Sequence, residues 1–214
     1  MALAVDTYQL GPIGTNCHVV RAARGANEAV VVDPGGDAAT LARELAQSGT
    51  RCAGIFVTHC HWDHLGGVAD LADATGAAVY MSELEAPVLE RPDDWYAALG
   101  VRIRPYSTDI RLAGDEEFEL AGIPWQTLRV PGHSPDHLAF AANGALFSGD
   151  VLFAGSVGRV DLPGCDGAAL LDSLRRLADD FPPGTIVYPG HGPTTTIGVE
   201  LARNPFLAEP RVAP

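Results

Sequence analysis

The spacing of apolar positions changes several times along the chain, and each change marks an element. Residues 17–22 and 28–33 are short apolar runs. The second contains Ala29-Val30-Val31-Val32 and closes on the turn Pro34-Gly35-Gly36, so both predict strands. From Asp37 the period lengthens. Leu41 and Leu45 stand four apart and Gly49 follows, which predicts a helix capped by Asp37. Residues 54–58 form a compact apolar run of buried-strand type, 68–75 a short helix stopped by Gly76, and 78–81 another strand. Residues 87–100, with Pro92, Asp93, Asp94 and Trp95-Tyr96, follow neither period and read as a loop with a short helix. Strands are predicted at 116–120, 123–130, 137–141 and 145–148, the last two joined by the hairpin signal Asn143-Gly144. Asp166 is a second candidate N-cap, ahead of Leu170, Leu171, Leu174 and Leu177 on one helical face. A strand at 185–188 and a helix that follows 194–196 and ends before Pro205 complete the pattern.

The order runs from strands to a helix and a strand, then repeats. Two such halves predict an α+β architecture, two packed sheets with helices outside. No linker or low-complexity stretch divides the sequence, so residues 1–214 read as a single domain.

Composition narrows the function classes. With 27 acidic against 14 basic residues the formal charge is -13. Nucleic-acid binding rests on Lys/Arg pairing with phosphate, and no basic run is present, so no nucleic-acid partner is expected. No apolar run reaches the roughly 18–20 residues of a membrane span, and residues 1–14 lack the pattern of a signal peptide. The expectation is therefore a cytoplasmic chain without a membrane partner. Cys17, Cys52, Cys60 and Cys165 form no CxxC pair and read as reduced thiols. Oligomeric state is not legible.

The seven histidines carry the chemistry. Three of them fall in Thr58-His59-Cys60-His61-Trp62-Asp63-His64, which follows an apolar strand and precedes Gly66-Gly67. Imidazole and carboxylate at this density suit zinc, iron or manganese. His133 in Pro131-Gly132-His133, Asp150 in Gly149-Asp150 and His191 in Pro189-Gly190-His191 each follow an apolar strand beside glycine or proline, where they can converge on one edge. Cys60 alternates with His59 and His61 and is expected to point away from them. His18 and His137 read as structural, Trp62 as packing, and the Leu170–Leu177 stripe as core.

HxHxDH, PGH, GD and PGH in this order resemble the metallo-β-lactamase fold superfamily over essentially the whole chain. The resemblance implies a four-layer αββα sandwich of two mixed sheets, with two divalent metal ions at one edge, zinc first and iron or manganese as alternatives. His59, His61 and His133 would hold one ion, Asp63, His64 and His191 the other, and Asp150 would bridge them. Asp63 and Asp150 would be the catalytic carboxylates, Asp63 orienting a metal-acidified water and taking its proton.

A bridging Asp150 sets the sequence apart from most metallo-β-lactamases, so antibiotic hydrolysis is not expected. It resembles instead the single-domain glyoxalase II-like (hydroxyacylglutathione hydrolase-like) hydrolases, on the stretches Gly149-Asp150-Val151-Leu152-Phe153, Gly158-Arg159-Val160-Asp161-Leu162-Pro163 and Pro189-Gly190-His191-Gly192-Pro193-Thr194. Too few residues follow His191 for the helical domain with which full-length glyoxalase II holds glutathione. Arg159 stands where that family has Lys, and Asp161 where it has Tyr. Arg159 therefore reads as a substrate-carboxylate contact or as a salt-bridge partner of Asp161. Two metals, two carboxylates and a hydroxide sum to about +1, which favours a small anionic thioester as partner. Alternatives are a persulfide dioxygenase with a single iron, which shares the fold and the stretch around Arg159, and a metal-binding protein without activity. A nuclease of the same fold is disfavoured by the charge.

Overall fold

The computed structural model describes residues 2–207. Its first half comprises β1 (Ala4–Leu10), β2 (Thr15–Arg21), β3 (Glu28–Val32), α1 (Ala38–Gln47), β4 (Arg51–Phe56), α2 (Trp62–Leu65), α3 (Val68–Thr75), β5 (Ala78–Ser82), α4 (Ala86–Glu90), α5 (Asp93–Tyr96), a 3-10 turn over Ala97–Leu99 and β6 (Ile110–Leu112). The second half comprises β7 (Glu117–Leu120), β8 (Ile123–Arg129), β9 (Leu138–Ala142), β10 (Ala145–Gly149), the small hairpin β11 (Leu152–Phe153) and β12 (Ser156–Val157), α6 (Gly167–Asp180), β13 (Ile186–Pro189), β14 (Thr195–Thr196) and α7 (Ile197–Arg203). One six-stranded sheet runs β1-β2-β3-β4-β5-β6 and the other β14-β13-β10-β9-β8-β7. Both are mixed: β3, β4, β5 and β6 pair in parallel, as do β10 and β13, and the remaining pairs are antiparallel.

Alternation along the central strands divides the apolar residues among three cores. Val30 and Val32 of β3, Phe140 of β9 and Phe147 of β10 meet between the sheets, where Phe56 stacks on Phe140 with centroids 4.5 Å apart. Ala29 and Val31 face Leu41 and Leu45 of α1 and Leu71 of α3 on one outer side. Ala139, Ala141 and Leu146 face Leu170, Leu174 and Leu177 of α6 and Ile197 of α7 on the other. Strands covered on both faces read as continuous apolar runs, which is why 28–33 and 145–148 stood out. The αββα sandwich anticipated from the sequence is the fold observed.

Several local readings change. Residues 87–100 hold two short helices and a 3-10 turn rather than a loop with one helix. β1 shows no continuous apolar run because it is a half-buried strand at the edge of its sheet, and β6 is only three residues long. Asn143 and Gly144 both take positive φ (46° and 81°), as a tight hairpin demands. Asp166 caps α6, accepting from the Ala168 and Ala169 amides, as its position predicted. Asp37 does not cap α1. It is left-handed (φ 48°) and makes no capping hydrogen bond; its carboxylate accepts instead from the Gly11 amide (3.4 Å). Among the described residues no helix is long and apolar enough to cross a membrane.

The two aspartates therefore differ in what they contribute. Asp166→Ala should lower stability by about 1 kcal/mol through the lost cap. Asp37→Gly should be neutral or slightly stabilising, since glycine accepts the left-handed backbone without strain. Urea unfolding of the two variants beside the parent measures both.

Candidate metal centre

All seven candidate ligands lie at one edge of the sandwich, on the segments that leave the strands there. β4 runs out through Thr58 into His59, His61 and α2, which carries Asp63 and His64. His133 lies between β8 and β9, Asp150 directly follows β10, and His191 follows β13. Their donor atoms fall into three overlapping groups, each within 4.8 Å: His59, His61 and His133; Asp63, His64 and His191; and His59, His64 and Asp150. Cys60 stands in none of them and packs into the outer core.

The hydrogen bonds behind these groups decide which nitrogens are bare. Thr58 Oγ1 donates to Asp33 Oδ2 (2.7 Å), so His59 Nδ1 donates to Thr58 Oγ1 (3.0 Å) and Nε2 is left without a proton. His133 Nδ1 donates to the Arg159 carbonyl (2.8 Å), which bares its Nε2 as well. Both bare atoms face His61 Nδ1, at 3.0 Å and 2.8 Å. One hydrogen on His61 cannot serve two acceptors, whereas a cation among the three nitrogens satisfies all of them. Burial lowers the pKa of His59, His61 (to about 4) and His133, so all three are neutral and able to coordinate at neutral pH.

The second group carries charge. His64 Nδ1 donates to Asp33 Oδ2 (2.9 Å), which turns Nε2 toward Asp63 Oδ2 (3.3 Å) and Asp150 Oδ1 (3.5 Å). His64 Nε2 and Asp150 Oδ1 are buried and make no hydrogen bond. Burial disfavours charge on His64, but Asp150 and Asp33 outweigh it and push its pKa up. His191 Nε2 lies 3.2 Å from Asp63 Oδ2 and 3.5 Å from Asp150 Oδ2, and its side chain is 30% exposed, which opens the group to solvent. Asp150 Oδ2 is also 3.5 Å from His133 Nε2, so this one carboxylate faces both trios. Bare nitrogens, an orphaned imidazole and an orphaned carboxylate oxygen make a donor set that fits divalent metal.

The backbone packs closely against the donor set at Gly190. A Cβ on Gly190 would come within 2.2 Å of Asp150 Oδ1 and 2.8 Å of His64 Cε1. The Asn16 side-chain amide donates to the carbonyls of Pro189 (2.9 Å) and Gly192 (2.8 Å), fixing the loop of His191. Thr15 Oγ1 donates to Asp63 Oδ2 (2.7 Å). Phe153 of the β11–β12 hairpin meets the His191 ring at 6.1 Å, and the hairpin is tied to α7 by Glu200 and Asn204.

Asp33, Thr58 and Thr15 were not singled out in the sequence. Asp33 ends a strand before a Pro-Gly turn, the same setting as the other ligand loops, and that was the available signal. His18 is structural, accepting from Thr7 Oγ1 and donating to the Pro189 carbonyl. His137 accepts from the Asp150 amide (3.1 Å) and stacks on His59. Arg159 does not reach the donor set. Its guanidinium forms a two-pronged ion pair with Asp161, at 2.6 Å and 2.8 Å, and its contact with the site is the carbonyl that holds His133. A cavity of about 620 Å³ lies at the opposite end of the second sheet among Phe118, Trp125, Asn143 and Phe181, and none of the seven residues lines it.

Comparison with known proteins agrees with this arrangement. Hydroxyacylglutathione hydrolase GloC of Haemophilus influenzae is 32% identical over 184 residues, which cover 84% of this chain and 87% of that protein. The crystal structure of the BLEG-1 B3 metallo-beta-lactamase matches with a TM-score of 0.87 at 37% identity, covering 96% of this chain and 100% of that one. TTHA1623, solved in a di-iron-bound form, matches with a TM-score of 0.82 at 41% identity, covering 94% and 100%. The profile described as the Metallo-beta-lactamase superfamily matches residues 10–191. By profile, by fold and by similarity along almost its full length, the chain belongs to the metallo-β-lactamase superfamily.

Proposed function

We propose that the protein is a dinuclear metal-dependent hydrolase of glyoxalase II type, cleaving S-2-hydroxyacylglutathione or a related anionic thioester. The observation that carries the hydrolase reading is the set of three overlapping donor groups, with Asp150 facing both trios. The thioester reading is supported by the similarity to GloC. Zinc is the first choice for the two ions, with iron and manganese as alternatives, and the di-iron form of TTHA1623 gives iron particular weight.

Bound divalent ions would supply Lewis acidity and water acidified to near neutrality. The chain's own residues do the rest. His59, His61 and His133 would hold one ion and Asp63, His64 and His191 the other, with the Asp150 carboxylate available to both. Asp63, fixed by Thr15, orients the attacking water and takes its proton. Arg159 meets a carboxylate of the thiol when Asp161 releases it. Every basic side chain of the sequence is arginine, so no lysine competes for that task.

BLEG-1 gives a second reading, β-lactam hydrolysis, through its likeness over nearly the whole chain. One assay separates the readings. Zinc-, iron- and manganese-loaded protein is given S-D-lactoylglutathione, a penicillin, and glutathione persulfide with oxygen. The expected result is thioester hydrolysis with kcat/KM above about 10⁴ M⁻¹s⁻¹. Turnover of the penicillin alone, or oxygen uptake with the persulfide alone, overturns the thioesterase reading. Asp150→Asn and His191→Ala should each lower both bound metal and rate, by more than the roughly 10–100-fold that loss of a supporting hydrogen bond costs. Full activity in either variant, with metal counted, overturns the dinuclear reading.

The exposed Arg159–Asp161 pair gives a further test of substrate class. Arg159→Ala should raise KM for the glutathione thioester, and Asp161→Asn should lower it, each by up to about fivefold. A neutral thioester such as an S-acyl-N-acetylcysteamine should show neither change in steady-state kinetics.

A further inference from the structure

Residues 83–100 carry none of the candidate ligands, yet two of their side chains reach under the loop that does. Glu85, only 2% exposed, precedes α4. Its Oε2 accepts from the amide of Cys60 (2.7 Å), the residue between His59 and His61. Its Oε1 accepts from the amide of Asp136 (2.8 Å), on the loop that carries His133. The carbonyl of the same Cys60 accepts from the Tyr96 hydroxyl at the end of α5 (2.6 Å). The Cys60 peptide groups are thus held on both sides by one segment. Asp136 is itself fixed, accepting from Arg129 and Ser82.

We infer that Glu85 is a positioning residue for the trio His59, His61 and His133, setting the distance between the two loops that carry it. Only a carboxylate of this length can do so. It presents an acceptor at each end, and both buried backbone N–H groups need one. Glutamine offers one acceptor and turns an NH₂ toward the other amide. The second trio is held by different groups: His64 by Asp33, Asp63 by Thr15, and the His191 loop by Asn16. Loss of Glu85 should therefore loosen one trio and leave the other.

The inference rests on the metal reading above, and its test reads metal affinity rather than turnover. His191→Ala leaves the first trio complete, and His61→Ala the second. Zinc affinity is measured in each background by competition with a chromophoric chelator, with and without Glu85→Gln. The expected result is a loss of roughly 10–100-fold in the His191→Ala background and a change of less than about threefold in the His61→Ala background. Equal losses in both, which general destabilisation produces, overturn the inference, and so does no loss in either. Zinc binding by neither parent overturns the metal reading and this inference with it. A failure on thioesters with the selective loss intact overturns only the substrate. Tyr96→Phe deletes the hydroxyl on the Cys60 carbonyl and keeps the ring. It serves as the second variant where Glu85→Gln does not fold, and should give the same selectivity with a smaller loss. Equal losses in both backgrounds, or none, overturn the inference there too.

Discussion

At the end of β3 the buried carboxylate of Asp33 accepts three hydrogen bonds: from the Thr58 amide (2.8 Å), from the Thr58 hydroxyl (2.7 Å) and from His64 Nδ1 (2.9 Å). A buried carboxylate is costly unless its oxygens are matched, and here the groups that match it adjoin or belong to the candidate metal centre. The Thr58 contacts pin the end of β4 and, through the hydroxyl, fix the tautomer of His59. The His64 contact fixes the tautomer of His64. Both trios therefore inherit part of their orientation from one side chain. The position also asks for a left-handed backbone (φ 51°), which aspartate tolerates better than most residues.

This hub works because the frame around it does not give. Three cores stack through the four layers, and the central strands are covered on both faces, so the ends of β4, β10 and β13 are held in register. Close-packed interiors transmit small displacements rather than absorb them. Within that frame His64 Nε2 and Asp150 Oδ1 stay buried and unpartnered in the centre. Natural sequences tolerate such local conflict at functional sites and compensate for it elsewhere.

The candidate ligands were legible because each is a polar residue of metal-binding type at the end of an apolar strand, beside glycine or proline. The residues that orient them were not, because Asp33, Thr58 and Glu85 have ordinary identities and acquire their roles from contacts across 25 or more positions. The four-layer order was legible from the strand and helix periods. β1 and β6 were not, the first being a half-buried edge strand without a continuous apolar run and the second too short to show a period. Asp37 and Asp166 show the limit at a finer scale. Both precede a helix in the sequence, but the backbone entering α1 is left-handed and that entering α6 is extended. Arg159 was open to two readings, and in the chain alone its guanidinium pairs with Asp161.

The side chain of Asn16 bonds to carbonyls 173 and 176 positions away, on the loop of His191. Most of the first sheet joins strands that are neighbours in sequence and can form as the chain emerges. The second trio cannot, because His191 follows β13, which pairs with β10 only after most of the chain has been made. Its closure depends on contacts of very high sequence separation. During synthesis, Asp63 and His64 are made long before their partner loop exists. The nascent protein thus carries an incomplete binding site through most of its assembly, and acquires the complete one only with the last strands.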